Sequence, residues 1–118
     1  MNGSRRTYMH ERWAESLAAT YLFCKGYRIL RRRYRTASGE IDLIVRRGKV
    51  LAFVEVKYRL TQEEALYSIS SAQQQRITRT AACFLAAYPR YAHLVCRMDV
   101  VIVSPQHLPK HLVDAWHG

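Results

Sequence analysis

Residues 39–59 read GEIDLIVRRGKVLAFVEVKYR, and the fold turns on how this stretch pairs with itself. Two runs rich in Val, Ile, Leu and Phe, Glu40–Arg46 and Val50–Arg59, flank a turn at Arg47-Gly48 or Gly48-Lys49, which predicts an antiparallel hairpin. Glu40, Asp42, Glu55 and Lys57 are set into those runs, where apolar residues would be expected. Side chains alternate along a strand, so Glu40 and Asp42 share a face with Ile44, and Glu55, Lys57 and Arg59 share one with Leu51 and Phe53. A turn at Arg47-Gly48 sets Glu40 opposite Glu55. A turn at Gly48-Lys49 sets Asp42 opposite Glu55. Either way, an even-length loop gathers all three acids on one face, whereas an odd-length loop without a bulge would send Asp42 to the other.

Clustered carboxylates repel, and at least one has its pKa raised unless a cation shares the site. A divalent ion resolves the conflict: Mg²⁺ takes hard oxygen ligands and is held by one or two carboxylates plus substrate phosphate. Lys57, on the Glu55 face, can orient a water or meet developing phosphate charge. Those parts suit metal-assisted phosphodiester hydrolysis. Cross-strand Glu–Lys and Asp–Arg pairs on a solvated sheet face are the common structural alternative. Against it stands Val50–Val56, apolar on both faces and so predicted as a central strand.

Working outward, a first helix is predicted from about His10 to Lys25, with Ala14, Leu17, Ala18, Tyr21 and Leu22 as its apolar face and Gly26 as its stop. Glu15 falls at the edge of that face. Tyr27–Tyr34 reads as an Arg-rich edge strand and Arg35–Ser38 as a loop. Residues 60–69 read as loop with a helical turn. A second helix, about Ser71 to Tyr88, is capped by Ser70 or Ser71 with a Gln three positions on, carries the stripe Ile77, Ala81, Phe84, Leu85 and Tyr88, and ends at Pro89. Leu94–Val103 is a last strand, and the tail to Trp116 holds a short strand or helical turn. The order is α-β-β-β-α-β in one domain of 118 residues. The link from Val50–Arg59 to Leu94–Val103 is long enough for a parallel crossover, giving an α/β fold with a mixed sheet and helices packed against it.

Lys and Arg number 19 against 9 Asp and Glu, a formal charge of +10. The excess is concentrated in Arg28, Arg31, Arg32, Arg33 and Arg35, then Arg46, Arg47 and Lys49, which points to a polyanionic partner. No basic amphipathic helix accompanies it and no apolar run is long enough to cross a bilayer, so the expectation is a cytoplasmic protein without a membrane partner. Cys24, Cys83 and Cys96 lie within apolar segments without CxxC spacing and are expected as buried, reduced thiols. His107 and His111 have Pro109 between them, which breaks the helix that would align them on a metal.

Gly39-Glu40-Ile41-Asp42 and Phe53-Val54-Glu55-Val56-Lys57 with Arg59 together resemble the YraN family of bacterial proteins, which is similar to archaeal Holliday junction resolvases of the PD-(D/E)xK restriction-endonuclease-like superfamily. Ala14-Glu15, Gly26-Tyr27, Arg97-Met98-Asp99-Val100-Val101 and Asp114-Ala115-Trp116 extend the resemblance over almost the whole chain. It implies a nuclease-type site with Asp42 and Glu55 as ligands of Mg²⁺ or Mn²⁺, Lys57 as catalytic lysine, and Glu15 as an accessory acid. Gln73 stands where the family usually has a lysine, and Glu40 adjoins the site. The expected function is a nucleic-acid-binding endonuclease acting on DNA, branched or structured. Arg31, Arg32, Arg33, Arg35, Arg46, Arg47, Lys49 and Arg59 would hold the backbone, and a second copy of the chain is a further candidate partner. The rival expectations are a non-catalytic nucleic-acid-binding module and a protein-interaction domain on the same fold.

Overall fold

A computed structural model describes residues 2–60 and 69–116, with side chains described from residue 11 onward. The described residues form helices α1 (Asn2–Cys24) and α2 (Ser71–Ala87) and strands β1 (Arg28–Thr36), β2 (Gly39–Arg47), β3 (Val50–Tyr58), β4 (Val95–Val103) and β5 (Lys110–Trp116). The sheet runs in the order β1-β2-β3-β4-β5; β3 and β4 are parallel and the other neighbours antiparallel. This is a mixed α/β fold in which β3, the strand apolar on both faces, is central.

Each helix covers one face. On one side Ala14, Ala18, Ala19 and Leu22 of α1 pack on Leu43, Val45, Ala52, Val54, Val101 and Val103. On the other, Ile77, Ala81 and Phe84 of α2 pack on Ile44, Leu51, Phe53, Val100 and Ile102. Three alanines let the α1 backbone approach closely, while Phe84 fills the wider gap under α2, edge-on to Phe53 with ring centroids 6.0 Å apart.

The punctuation agrees with the chemistry of its residues. Gly26 (φ +93°) donates to Phe23 O and Tyr27 to Leu22 O, both at 3.0 Å, and Leu22 and Tyr27 are both buried in the α1 core. That is a Schellman stop with its apolar contact. Gly48 (φ +61°) opens a two-residue turn, Gly48-Lys49, as the hairpin pairing of Arg47 with Val50 requires. Ser70 Oγ accepts the Gln73 amide at 3.1 Å and caps α2. The reciprocal half of the capping box is not formed, because the Gln73 side chain reaches Glu55 instead.

Other expectations need correction. α1 begins at Asn2, well before the apolar stripe that predicts it from His10, and β1 continues through Arg35 and Thr36, taking in half of the predicted loop. The tail is a full strand, β5. Residues 61–68, most of the predicted loop with its helical turn, lie outside the described residues. The cysteines are free but not buried: Cys24 and Cys96 are exposed and Cys83 half-buried. Cys24 lies two residues past Leu22, about 200° around α1 and off its stripe, and Cys96 sits in the exposed first residues of β4. Among the described residues, no helix is long and apolar enough to cross a membrane.

Candidate functional site

The sheet is irregular where the acids lie. In β1–β2 the pairing passes from Arg32↔Leu43 to Tyr34↔Ile41 without an Arg33↔Asp42 bridge, and Arg33 has φ +53°. In β2–β3 the regular ladder stops at Leu43↔Val54. Continuing that register sets Asp42 opposite Glu55, as the Gly48-Lys49 turn predicts. Asp42 Oδ2 accepts the Val56 amide at 2.8 Å. A side-chain oxygen thus stands where a backbone carbonyl would continue the ladder. Alternation breaks here too: Leu43 and Val45 face α1, yet Ile41 packs in the α2 core. The acids therefore meet in a split between strands rather than on a regular face.

Meanwhile β3 is carried on by β4 as far as Tyr58↔Val103, and the Arg59 amide still bonds Val103 O at 3.1 Å. This holds Glu55 and Lys57 on a rigid central strand beside the opening. Lys57 Nζ and Gln73 Nε2 each lie 3.4 Å from Glu55 Oε1. From α1, the buried Glu15 accepts from Arg33 Nε at 3.2 Å, with an Arg32 guanidinium nitrogen at 3.8 Å. Glu40 is paired with Arg35 at 3.4 Å.

Burial, then the charges of Glu55 and Glu15, pushes Asp42 up to about 8 against the opposing hydrogen bond from Val56. Burial also raises Glu55, partly offset by Lys57 and by a hydrogen bond with Asp42. Burial and mutual repulsion thus favour the protonated form of Asp42 near neutral pH. Desolvated, mutually repelling groups in a cleft are the usual mark of a functional site.

Two recesses reach the acids. A cleft of about 330 Å³ on the α1 side brings together Glu15, Arg33, Arg35, Glu40, Asp42, Glu55, Lys57 and Arg59. One of about 220 Å³ on the α2 side shares Glu40, Asp42 and Glu55 and adds Gln73 and Arg76. The other predicted residues are not gathered there. Arg31 lies over Tyr34 and Tyr88 and donates to the Tyr88 hydroxyl at 2.8 Å, and Arg32 donates to Ser16 Oγ at 3.0 Å. Arg46, Arg47 and Lys49 sit at the hairpin turn, about 17 Å along the strand from Asp42. There Arg46 bonds Gly48 O at 3.0 Å, and Arg47 bonds Lys25 O at 3.3 Å while covering the Tyr27 ring. Arg12 and Arg76, which line the recesses, escape a reading based on charge runs because neither has a basic residue directly beside it in the sequence.

Among the described residues, no three or more His, Cys, Asp or Glu side chains group as metal ligands. The donor set is the Asp42–Glu55 pair. It suits a hard ion that keeps waters and takes an oxygen from a substrate, and it does not suit a closed protein cage or a tetrahedral zinc site. A pair of mutually repelling acids is also a place where a cation would restore charge balance.

Fold and cleft define a mixed α/β protein with a paired-acid centre opened between β2 and β3. Comparison with known proteins adds the family. Residues 14–103 match the model described as "Uncharacterised protein family UPF0102". A UPF0102 protein of Bradyrhizobium diazoefficiens is 48% identical over 103 residues, covering 87% of this chain and 77% of the relative. One from Rhodopseudomonas palustris is 50% identical over 103 residues (87% and 76% covered), and one from Maricaulis maris 49% over 112 residues (95% and 88%). The chain belongs to the UPF0102 family, the YraN family of the sequence resemblance.

Proposed function

We propose that this chain binds nucleic acid and hydrolyses its phosphodiester bonds with Mg²⁺ or Mn²⁺, on a restriction-endonuclease-like frame akin to that of the Holliday junction resolvases. The observation that carries the reading is the pairing of half-buried Asp42 with buried Glu55 in a split sheet, with Lys57 at 3.4 Å from Glu55. Asp42 and Glu55 would hold the ion, which when bound polarises a phosphoryl group and offsets the charge that builds on it. Lys57 orients a water or places an ammonium beside a developing phosphate charge. Gln73 fixes the Glu55 carboxylate from the other side. Glu15 keeps Arg33 turned into the cleft, and Arg12, Arg35 and Arg59 line the path of a phosphate backbone.

The Gln73–Glu55 hydrogen bond also favours a second reading, a binding module without cleavage. A glutamine there supplies one cation fewer beside the acids than the family's usual lysine. A cleavage screen over duplex, single-stranded and branched DNA, with Mg²⁺ or Mn²⁺, decides between the two. Metal-dependent products support the nuclease. Uncut DNA, together with no heat on Mn²⁺ titration, leaves the binding module.

Six cations, Arg12, Arg33, Arg35, Lys57, Arg59 and Arg76, line the two recesses. If about six phosphates are contacted on duplex DNA, log K against log salt falls with a slope of roughly −5. Mobility titrations at several salt concentrations measure it, and a slope near zero rejects a phosphate-dominated interface.

A further inference from the structure

Trp13 is 52% exposed, although burying an indole is among the more favourable things a small protein can do. Exposed apolar side chains are ordinary when scattered, and Phe23, Leu60, Val95, Leu108 and Val113 are exposed as well. Trp13 differs from these in its neighbours. Its ring stands edge-to-face with Tyr58, centroids 6.1 Å apart at 78°. Tyr58 directly follows Lys57 on β3 and lines the acid cleft together with Arg12 and Arg59. An edge-to-face pair covers one face of one ring, so the contact leaves aromatic surface at the wall of the cleft.

Aromatic surface beside Arg and Lys side chains suits an occupant with both a flat π-face and negative charge. A polypeptide partner would need carboxylates and apolar groups in one fixed arrangement, whereas every nucleotide carries a base and a phosphate together. A base within a duplex has both faces stacked on its neighbours. Away from a duplex end, only an unpaired one can lie on an indole.

The geometry points to Trp13, with Tyr58 behind it, as the stacking site for an unpaired nucleobase whose neighbouring phosphates enter the Asp42–Glu55 cleft. This rests on the nucleic-acid reading above and narrows it: the preferred substrate has a single-stranded segment at or next to the bond that is cut. Trp13 positions the strand and takes no part in proton transfer.

The test is tryptophan fluorescence with two probes, a 12-nucleotide oligothymidylate and a blunt duplex of similar charge, in EDTA so that nothing is cut. Of the chain's two tryptophans, Trp116 is buried. Emission of the wild type is expected to be quenched on binding oligothymidylate, and that quenching is expected to vanish in Trp13→Phe, which keeps a stacking ring and most of the affinity. Trp13→Ala is expected to weaken oligothymidylate binding about tenfold or more while changing duplex binding less than about threefold, given the usual worth of one stacked base. Two results would overturn the stacking site and leave the nucleic-acid reading standing. One is oligothymidylate binding, seen by mobility shift, without change in Trp13 emission; the other is equal loss of both ligands in Trp13→Ala. If the wild type retains neither probe, the nucleic-acid reading itself falls and the stacking site with it. The quenching arm needs no alanine variant, so it decides the matter even where Trp13→Ala folds poorly.

Discussion

On the proposed nuclease reading, Asp42→Asn is expected to melt at a higher temperature than the parent at pH 9 without divalent metal, to lose any stabilisation by Mn²⁺, and to cleave DNA at least about a hundredfold more slowly than the parent. The first result follows from linkage. Burial and the nearby Glu55 and Glu15 raise Asp42 from 3.8 to about 8 in the folded chain. A group raised on folding contributes stability that is whole below its unfolded pKa and is lost as pH climbs through the folded one. The parent is therefore weakened progressively between about pH 4 and pH 8, and the neutral Asn variant escapes that loss. The full displacement corresponds to roughly 6 kcal/mol at most. With local relaxation a gain of about 2 kcal/mol, or roughly 8 °C, is the expected size. Melting curves of both proteins from pH 4 to 9 check it; a difference that does not grow with pH rejects a strained acid pair. A metal changes the balance, since it needs the pair ionised. Mn²⁺ binding at pH 7 should release about one proton, visible as a dependence of the titration heat on the buffer. Lys57→Ala supplies the contrast, because an ammonium cannot be a ligand. It should keep the Mn²⁺ heat while losing cleavage.

How much of this could be read from residues 39–59 alone depends on what kind of fact is asked for. Parity follows from a two-residue turn, so the meeting of Asp42 with Glu55 was legible once Gly48 was taken as the first turn residue. The manner of meeting was not. The split needs Arg33 in a left-handed conformation, which no intrinsic preference of arginine announces, and a carboxylate replacing a carbonyl, which depends on the third strand in. Gln73 shows the same limit. Its place in the cap is local and readable, but its reach to Glu55 depends on how far α2 slides along the sheet. The Arg-rich runs located charge without dividing it. Arg33, Arg35 and Arg59 enter the cleft, whereas Arg46 and Arg47 brace the far turn, because both recesses open at the opposite end of the hairpin. The tail was ambiguous because β5 depends on pairing with β4 across a bulge.

Asp99 carries the same local signal as Asp42, an acid set in an apolar strand, and it has the opposite consequence. It is fully buried, yet Arg97 grips it with two nitrogens at 3.1 and 2.8 Å, His111 Nε2 lies at 2.7 Å, and the Asp114 amide donates at 3.0 Å. His111, considered above as half of a metal pair, is thereby committed to β4, with Lys25 Nζ at 2.7 Å on its other nitrogen. Burial alone would raise Asp99, but the hydrogen bonds from His111, Arg97 and Asp114 outweigh it and hold the carboxyl down at about 2. A group lowered on folding contributes stability that is present above its unfolded pKa of 3.8 and disappears as pH falls toward 2, here about 2 kcal/mol. Asp99→Ala should cost more than that, about 3–5 kcal/mol, because it strands the Arg97 cation and the inward nitrogen of His111. A loss of that size is a large part of a typical domain's 5–15 kcal/mol, so the midpoint in urea should fall sharply at pH 7. The parent's advantage over the variant should shrink between pH 4 and pH 2. Urea titrations of both proteins at pH 7 and pH 3 measure this. A midpoint unchanged at pH 7 would mean that Asp99 does not hold β5 to the sheet. Set beside Asp42→Asn, which is expected to stabilise, the pair of variants separates the two strand acids by sign: Asp99 is satisfied by the fold, whereas Asp42 is held against burial and the charges of Glu55 and Glu15.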